Sequence, residues 1–188
     1  MMRHVVAALT LALVAACNAS SSYQGDGTFS DKGPGAANER YTVDLGPVDL
    51  SRPAHLSFKL AGLPPVEFTL GLRPVNVSNG CDATALKTVM VHAGIQGSDG
   101  AAIVDEQGRL GTWTASSNLL YRRGRERQEP ESDGAVKLVR EGVHGSGGWG
   151  TYFTPKRAAT YVASFDVIDA PGTSGCESRL VLLGGGWK

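Results

Sequence analysis

Histidine, serine and cysteine side chains are the groups in this chain best suited to bond chemistry. Val143-His144-Gly145-Ser146-Gly147-Gly148-Trp149-Gly150 puts a histidine two residues before a serine and a glycine two after it. A nucleophilic serine on a sharp strand-turn-helix elbow needs Gly-x-Ser-x-Gly, and the first of those glycines is missing here. The surrounding glycines suit a loop between strands, so no catalytic residue is assigned. His55 and His92 fall on the polar faces of alternating segments and would converge if those segments were neighbours. Two imidazoles fall short of a catalytic zinc site, which takes three protein ligands and an open position, so no metal is assigned. No Gly-rich phosphate cradle with Lys-Ser/Thr, no Cys-x-x-Cys and no dinucleotide fingerprint occurs, so no cofactor is expected.

Recognition has more material. Arg122, Arg123, Arg125 and Arg127 precede Glu129, Glu131 and Asp133 in a stretch, Arg122 to Gly134, that contains Pro130 and few apolar side chains. Planar guanidinium groups bind carboxylate or phosphate with two parallel hydrogen bonds, while a solvated hairpin tip of this kind also keeps a sheet edge from pairing with other chains. The glycine-rich loop around Gly142 to Gly150 adds His144, Ser146 and Trp149, with a backbone free to approach a partner closely. These seven side chains, the four arginines with His144, Ser146 and Trp149, are the expected contact surface. The formal net charge of the chain is zero, with 18 basic and 18 acidic residues. That balance leaves no electrostatic footprint for nucleic acid.

The segments that must hold these loops alternate in polarity with period two, as half-buried strands do. Tyr41, Val43 and Leu45 share one face; Leu56, Phe58 and Leu60 share another opposite His55, Ser57 and Lys59; Val66, Phe68, Leu70 and Leu72 follow, opposite Glu67, Thr69 and Arg73. Val89 to Ile95 repeats the pattern, and Ser98-Asp99-Gly100 predicts a hairpin into Ala101 to Val104, with Gly108 starting a new strand through Leu110 and Trp113. Val136 to Val139, Thr151 to Phe153, Tyr161 to Val167 and Leu180 to Leu183 complete the set. The last is apolar at every position, which suits a central strand covered on both faces. No segment keeps a helical period for long. With 25 glycines and turn signals between strands, the pattern predicts an all-β fold, an antiparallel β-sandwich of about 8–10 strands. An eight-stranded β-barrel of lipocalin type is the alternative.

The N-terminus carries Arg3 and then an uncharged run from Val5 to Ala16, ending in small residues before Cys17. This is the layout of an export signal, too short to cross a bilayer, which takes about 20 apolar residues. Val14-Ala15-Ala16-Cys17 resembles the lipobox of bacterial lipoproteins, with valine where leucine is most usual. The resemblance implies that residues 1–16 are removed, that Cys17 is lipidated, and that Asn18 in the next position directs the protein to the outer membrane, facing the periplasm. Secretion or inner-membrane anchoring are the alternatives. With Cys17 assigned to lipid, Cys81 and Cys176 remain as a disulfide pair for an oxidising compartment. Closing a loop of about 100 residues contributes about 4.7 kcal/mol in the chain-entropy picture. Residues 17–39, with almost no apolar periodicity, are expected to be a flexible tether, and residues 40–188 a single domain.

The expected function is that of a non-catalytic binding or envelope-interaction module with a protein or glycan partner, held to the membrane by its lipid. An immunity or inhibitor lipoprotein that neutralises an envelope-directed toxin or lysozyme-like enzyme is one alternative. A cell-wall or lipid hydrolase is the other.

Overall fold

A computed structural model describes residues 22–34, 39–77, 83–110, 136–138, 153–170, 172 and 176–185. Nine strands are found there: β1 Thr28–Pro34, β2 Glu39–Asp49, β3 Ala54–Ala61, β4 Phe68–Val77, β5 Met90–Gly97, β6 Ala102–Arg109, β7 Val136–Lys137, β8 Thr160–Asp169 and β9 Cys176–Gly184, with one short helix, α1 Ala83–Thr88. They build two antiparallel sheets, one ordered β1-β2-β9-β4-β7 and the other β3-β8-β5-β6. The sheets face each other as an all-β sandwich. No strand of one pairs with a named strand of the other, so the lipocalin-type barrel does not form.

Alternation in the sequence becomes alternation in burial. On β8, Tyr161, Ala163, Phe165 and Val167 are buried, whereas Val162 and Ile168 are exposed. Across the sandwich, Tyr41, Val43, Leu70, Leu72, Leu180 and Leu182 meet them in one core. Each such side chain withdrawn from water contributes about 1.5–3 kcal/mol. The apolar run on β9 behaves as its composition predicts. β9 lies between β2 and β4; Leu180 and Leu182 join the core, while Val181 and Leu183 are buried on the opposite face. The same cover explains a departure on β4: Thr69, expected on a wet face, is 1% exposed, because it is the cross-strand partner of Leu183. Thr42, the partner of Leu183 from β2, is buried likewise.

The hairpin at Ser98-Asp99-Gly100 forms. Gly97 N–H donates to Ala101 O at 2.9 Å, Asp99 Oδ1 accepts the Ala101 N–H at 3.1 Å, and Gly100 has φ +78°. β6 runs unbroken through Gly108 to Arg109, so the strand expected to restart at Gly108 is the continuation of this one. Pairing with Val91 on β5 carries the backbone across the glycine.

The larger correction concerns the tether. Within residues 17–39, Thr28–Pro34 is the edge strand of the first sheet, paired with β2 from Thr28↔Asp44 to Pro34↔Glu39. One aromatic anchor stands in for apolar periodicity: Phe29 stacks on Tyr41 at 5.3 Å and on Tyr23 at 5.7 Å. Before β1, the chain is bound to the other sheet. Gln24 N–H donates to Ala61 O at 3.0 Å, Asp26 N–H to Lys59 O at 2.7 Å, and Lys59 N–H to Asp26 Oδ2 at 2.6 Å. At Gly27 the chain leaves β3 for β2. Its φ of +86° suits glycine, and a Cβ there would collide with the Asp44 carbonyl oxygen. The segment therefore bridges the two sheets along part of one side.

Candidate functional site

The second sheet turns one face outward, and four titratable side chains cross it from edge to edge. The register that turns Leu56, Phe165 and Val91 toward the core sends His55, Asp166 and His92 the other way, because side chains alternate along each strand. Asp166 is the cross-strand partner of both histidines. One of its oxygens, Oδ1, is hydrogen-bonded to His55 Nδ1, and Oδ2 accepts from His92 Nδ1 at 2.9 Å. His92 Nε2 donates to Asp105 Oδ1 on β6 at 2.6 Å. The result is a row, His55–Asp166–His92–Asp105, in which a cation-capable group alternates with a carboxylate.

Both nitrogens of His92 meet carboxylate oxygens, an arrangement that favours the doubly protonated ring, in which both N–H groups donate. Burial alone would push His92 toward neutrality. The hydrogen bonds and charges of Asp105 and Asp166 outweigh it, and its pKa ends above the ordinary histidine value. For Asp166, burial disfavours the charge, but hydrogen bonds from His92 and His55 prevail and hold its carboxyl below the ordinary range. The centre of the row is shielded and the ends are wet: His92 and Asp166 are 25% exposed at the side chain, His55 71% and Asp105 73%.

Beside this row the surface is low. Ser57, Ser164 and Gly94 are cross-strand partners, and a Cβ on Gly94 would stand 2.7 Å from Ser164 Oγ and 3.5 Å from His92 Cε1. A serine thus lies across Gly94 from the His92 imidazole. The geometry of a serine nucleophile is not met, however. A general base presents an unprotonated nitrogen to the hydroxyl, and each His92 nitrogen already donates to a carboxylate. Each imidazole addresses its own oxygen of Asp166, and among the described residues no group of three His, Cys, Asp or Glu is arranged to hold a metal ion. Exposed Ile103, Val162 and Ile168 add apolar area to this sheet. The face combines a row of charged groups with scattered exposed apolar side chains.

A second feature opens at the corner between β2 and β3. A cleft of about 440 Å³ is lined by Pro47, Val48, Asp49, Arg52, Ala54, Leu56, Glu177, Ser178 and Arg179. Val48, Ala54 and Leu56 supply an apolar floor. Asp49 shapes the corner: it accepts from Ser51 N–H at 2.9 Å and from Arg52 Nε at 2.9 Å, and hydrogen bonding from Ser51, foremost, holds its carboxyl below the ordinary range. Arg179 also reaches the outer face of the first sheet, gripping Asp44 through Nε at 2.7 and 2.9 Å.

Of the residues singled out in the sequence, Cys17, Cys81, Arg122, Arg123, Arg125, Arg127, His144, Ser146 and Trp149 lie outside the described residues. Cys176 is described only as the backbone that begins β9, where its partner across the ladder is Val77, four residues before Cys81 in the chain. His55 and His92 do converge, though across an intervening strand. Asp166 and Asp105 were not singled out. Asp166 already lay on the polar side of its strand, but only the strand order shows which histidines flank it. No protein-family model matches this chain, and comparison with curated proteins finds no relative.

Proposed function

We propose that this protein is a lipid-anchored binding module of the bacterial envelope, tethered through Cys17 to the outer membrane and facing the periplasm. It recognises a protein or glycan partner by surface complementarity. The observation that supports binding over bond chemistry is the placement of His92 between two carboxylates. Its two nitrogens are committed to Asp166 and Asp105, which favours its charged form and leaves neither free to act as a base. A rigid sandwich carrying such a row suits a scaffold that presents contacts without rearranging. The anchor is strong for the same reason that burial is: each acyl methylene contributes about 0.8 kcal/mol, and two or more chains hold stably.

Two measurements test this reading. Metabolic palmitate labelling should mark the wild-type chain and not Cys17→Ala, and labelling that survives the substitution would refute the anchor. The anchored protein should capture a partner from envelope extract or from purified cell-wall glycan, with capture reduced in His92→Gln and Asp166→Asn while the fold persists. Release of soluble product from cell wall or lipid, abolished by Ser164→Ala or Ser146→Ala, would replace the binding module with a hydrolase.

A further inference from the structure

The free edge of β3 shows the form such a partner would take. Lys59 turns both its N–H and its C=O away from β8, toward Asp26. Pairing with β8 is regular from Ala54 to Ala61, so the same two-residue alternation turns the N–H and C=O of His55 and Ser57 to that open side. The segment that covers Lys59 and Ala61 departs at Gly27, one residue before it would reach Ser57. His55 and Ser57 are exposed, and among the described residues their edge groups have no partner. The other edge at this corner is blunted: β2 beyond Asp44 carries a register shift at Gly46 and a proline, Pro47, without an N–H. β3 has neither between Ala54 and Ala61.

The cleft lies on the inner side of this edge. Ala54 and Leu56, which flank His55, line it, together with Val48 and Ser178 from the facing sheet. Ser178 is 4% exposed and lines the cleft beside the charged Asp49, Arg52, Glu177 and Arg179. On the outer side, His55 ends the row of alternating charge, so the favourable neighbour across the strand is a carboxylate.

We propose that the open edge of β3 binds an extended peptide segment of a partner protein, added antiparallel to β3 as the next strand in line with Gln24 and Asp26. Its backbone pairs with the N–H and C=O of His55 and Ser57. An acidic side chain lies opposite His55, and the apolar side chains on either side of it enter the cleft. Strand addition of this kind takes affinity from the main chain and specificity from alternate side chains. The inference rests on the binding reading above and narrows it to one class of partner.

The test pans a displayed library of random peptides against the full chain, then follows amide hydrogen exchange with the enriched peptides added. The expected motif is an Asp or Glu between two apolar residues. The amides of His55 and Ser57 should exchange rapidly in the free protein and become protected on binding. Ser57→Pro, which deletes the edge N–H, should weaken binding by about tenfold or more, and Ser57→Ala should not. Should Ser57→Pro fail to fold, exchange in the native chain decides. Enriched peptides that leave both amides unprotected, or no enrichment at all, would overturn the inference. So would a dimer of the chain alone that Ser57→Pro dissolves, which assigns the edge to a second copy. Partner capture that depends on His92 and Asp166 with unchanged exchange at β3 would leave the binding module standing and remove only the strand-addition site.

Discussion

Asp166→Asn is the sharpest perturbation of the charged row, because it keeps the shape of the side chain and removes the charge that two imidazoles share. The bond to His92 joins two side chains each 25% exposed, at 2.9 Å. A hydrogen bond to a charged group contributes about 1.5–3 kcal/mol, and partial exposure puts this one near the lower end. His55 is 71% exposed, so its pairing is a surface ion pair worth about 0–1 kcal/mol. The expected cost of Asp166→Asn is therefore about 2 kcal/mol, and the pH at which it is felt follows from the direction of each shift. The folded pKa of His92 is raised, so its contribution is whole below the unfolded value and disappears as pH rises through the folded one. The folded pKa of Asp166 is lowered, so its contribution is whole above the unfolded value and disappears as pH falls through the folded one. Both are complete only between about pH 4 and 6.5, the unfolded-state values of the two groups. Urea unfolding of the wild type and Asp166→Asn at pH ~5.5 and ~9 should show a clear gap in midpoint at the lower pH that narrows at the higher. A gap of equal size at both, or one that widens with pH, would refute the linkage.

Other outcomes follow from the core, the crossing and the cysteines. The Tyr41 hydroxyl is buried without a hydrogen-bond partner among the described residues, so Tyr41→Phe should raise stability by about 1 kcal/mol, or about 2–4 °C in thermal melting; a loss of stability would show that the hydroxyl is satisfied. Phe165, 0% exposed at the centre of β8, should cost about 3–5 kcal/mol when truncated to alanine, read by denaturant unfolding. Gly27→Val forces a β-branched side chain to φ +86° and into the Asp44 carbonyl, and should strip exchange protection from the β1 amides while the β8 amides stay protected. For Cys81 and Cys176, a thiol assay on the oxidised, unlipidated domain should find no free thiol, and reduction should lower the melting temperature; two reactive thiols would dismiss the bridge.

Much of the sandwich was legible because burial on one face writes period two into the chain. Tyr161, Ala163, Phe165 and Val167 are the plainest case, and the unbroken apolar run on β9 announced a strand covered on both sides. Edge strands leave a weaker mark. β1 needs only one partner and one covered side chain, so Phe29 alone carries its packing, and the polar residues around it look like linker. Register escapes composition altogether, since a slip of one residue would reverse every face. Thr69 shows this locally: only its pairing with Leu183 explains why a hydroxyl lies under cover.

The charged row was half legible, and the missing half is strand order. His55 and His92 stood on polar faces in the sequence, but the carboxylate that joins them lies 111 residues from one and 74 from the other. β8 is made late in the chain and enters the sheet between β3 and β5. Had β3 and β5 paired directly, two imidazoles would have faced each other without a counter-charge, and like charges across a ladder are destabilising. Asp166 between them turns that conflict into an alternation, and Asp105 extends it to β6. His55 stands at one end of the row, on edge strand β3, where its side chain ends the charge pattern and its backbone ends the ladder. A strand docking there would complete both at once, so charge and hydrogen bonding select the same partner at the same residue.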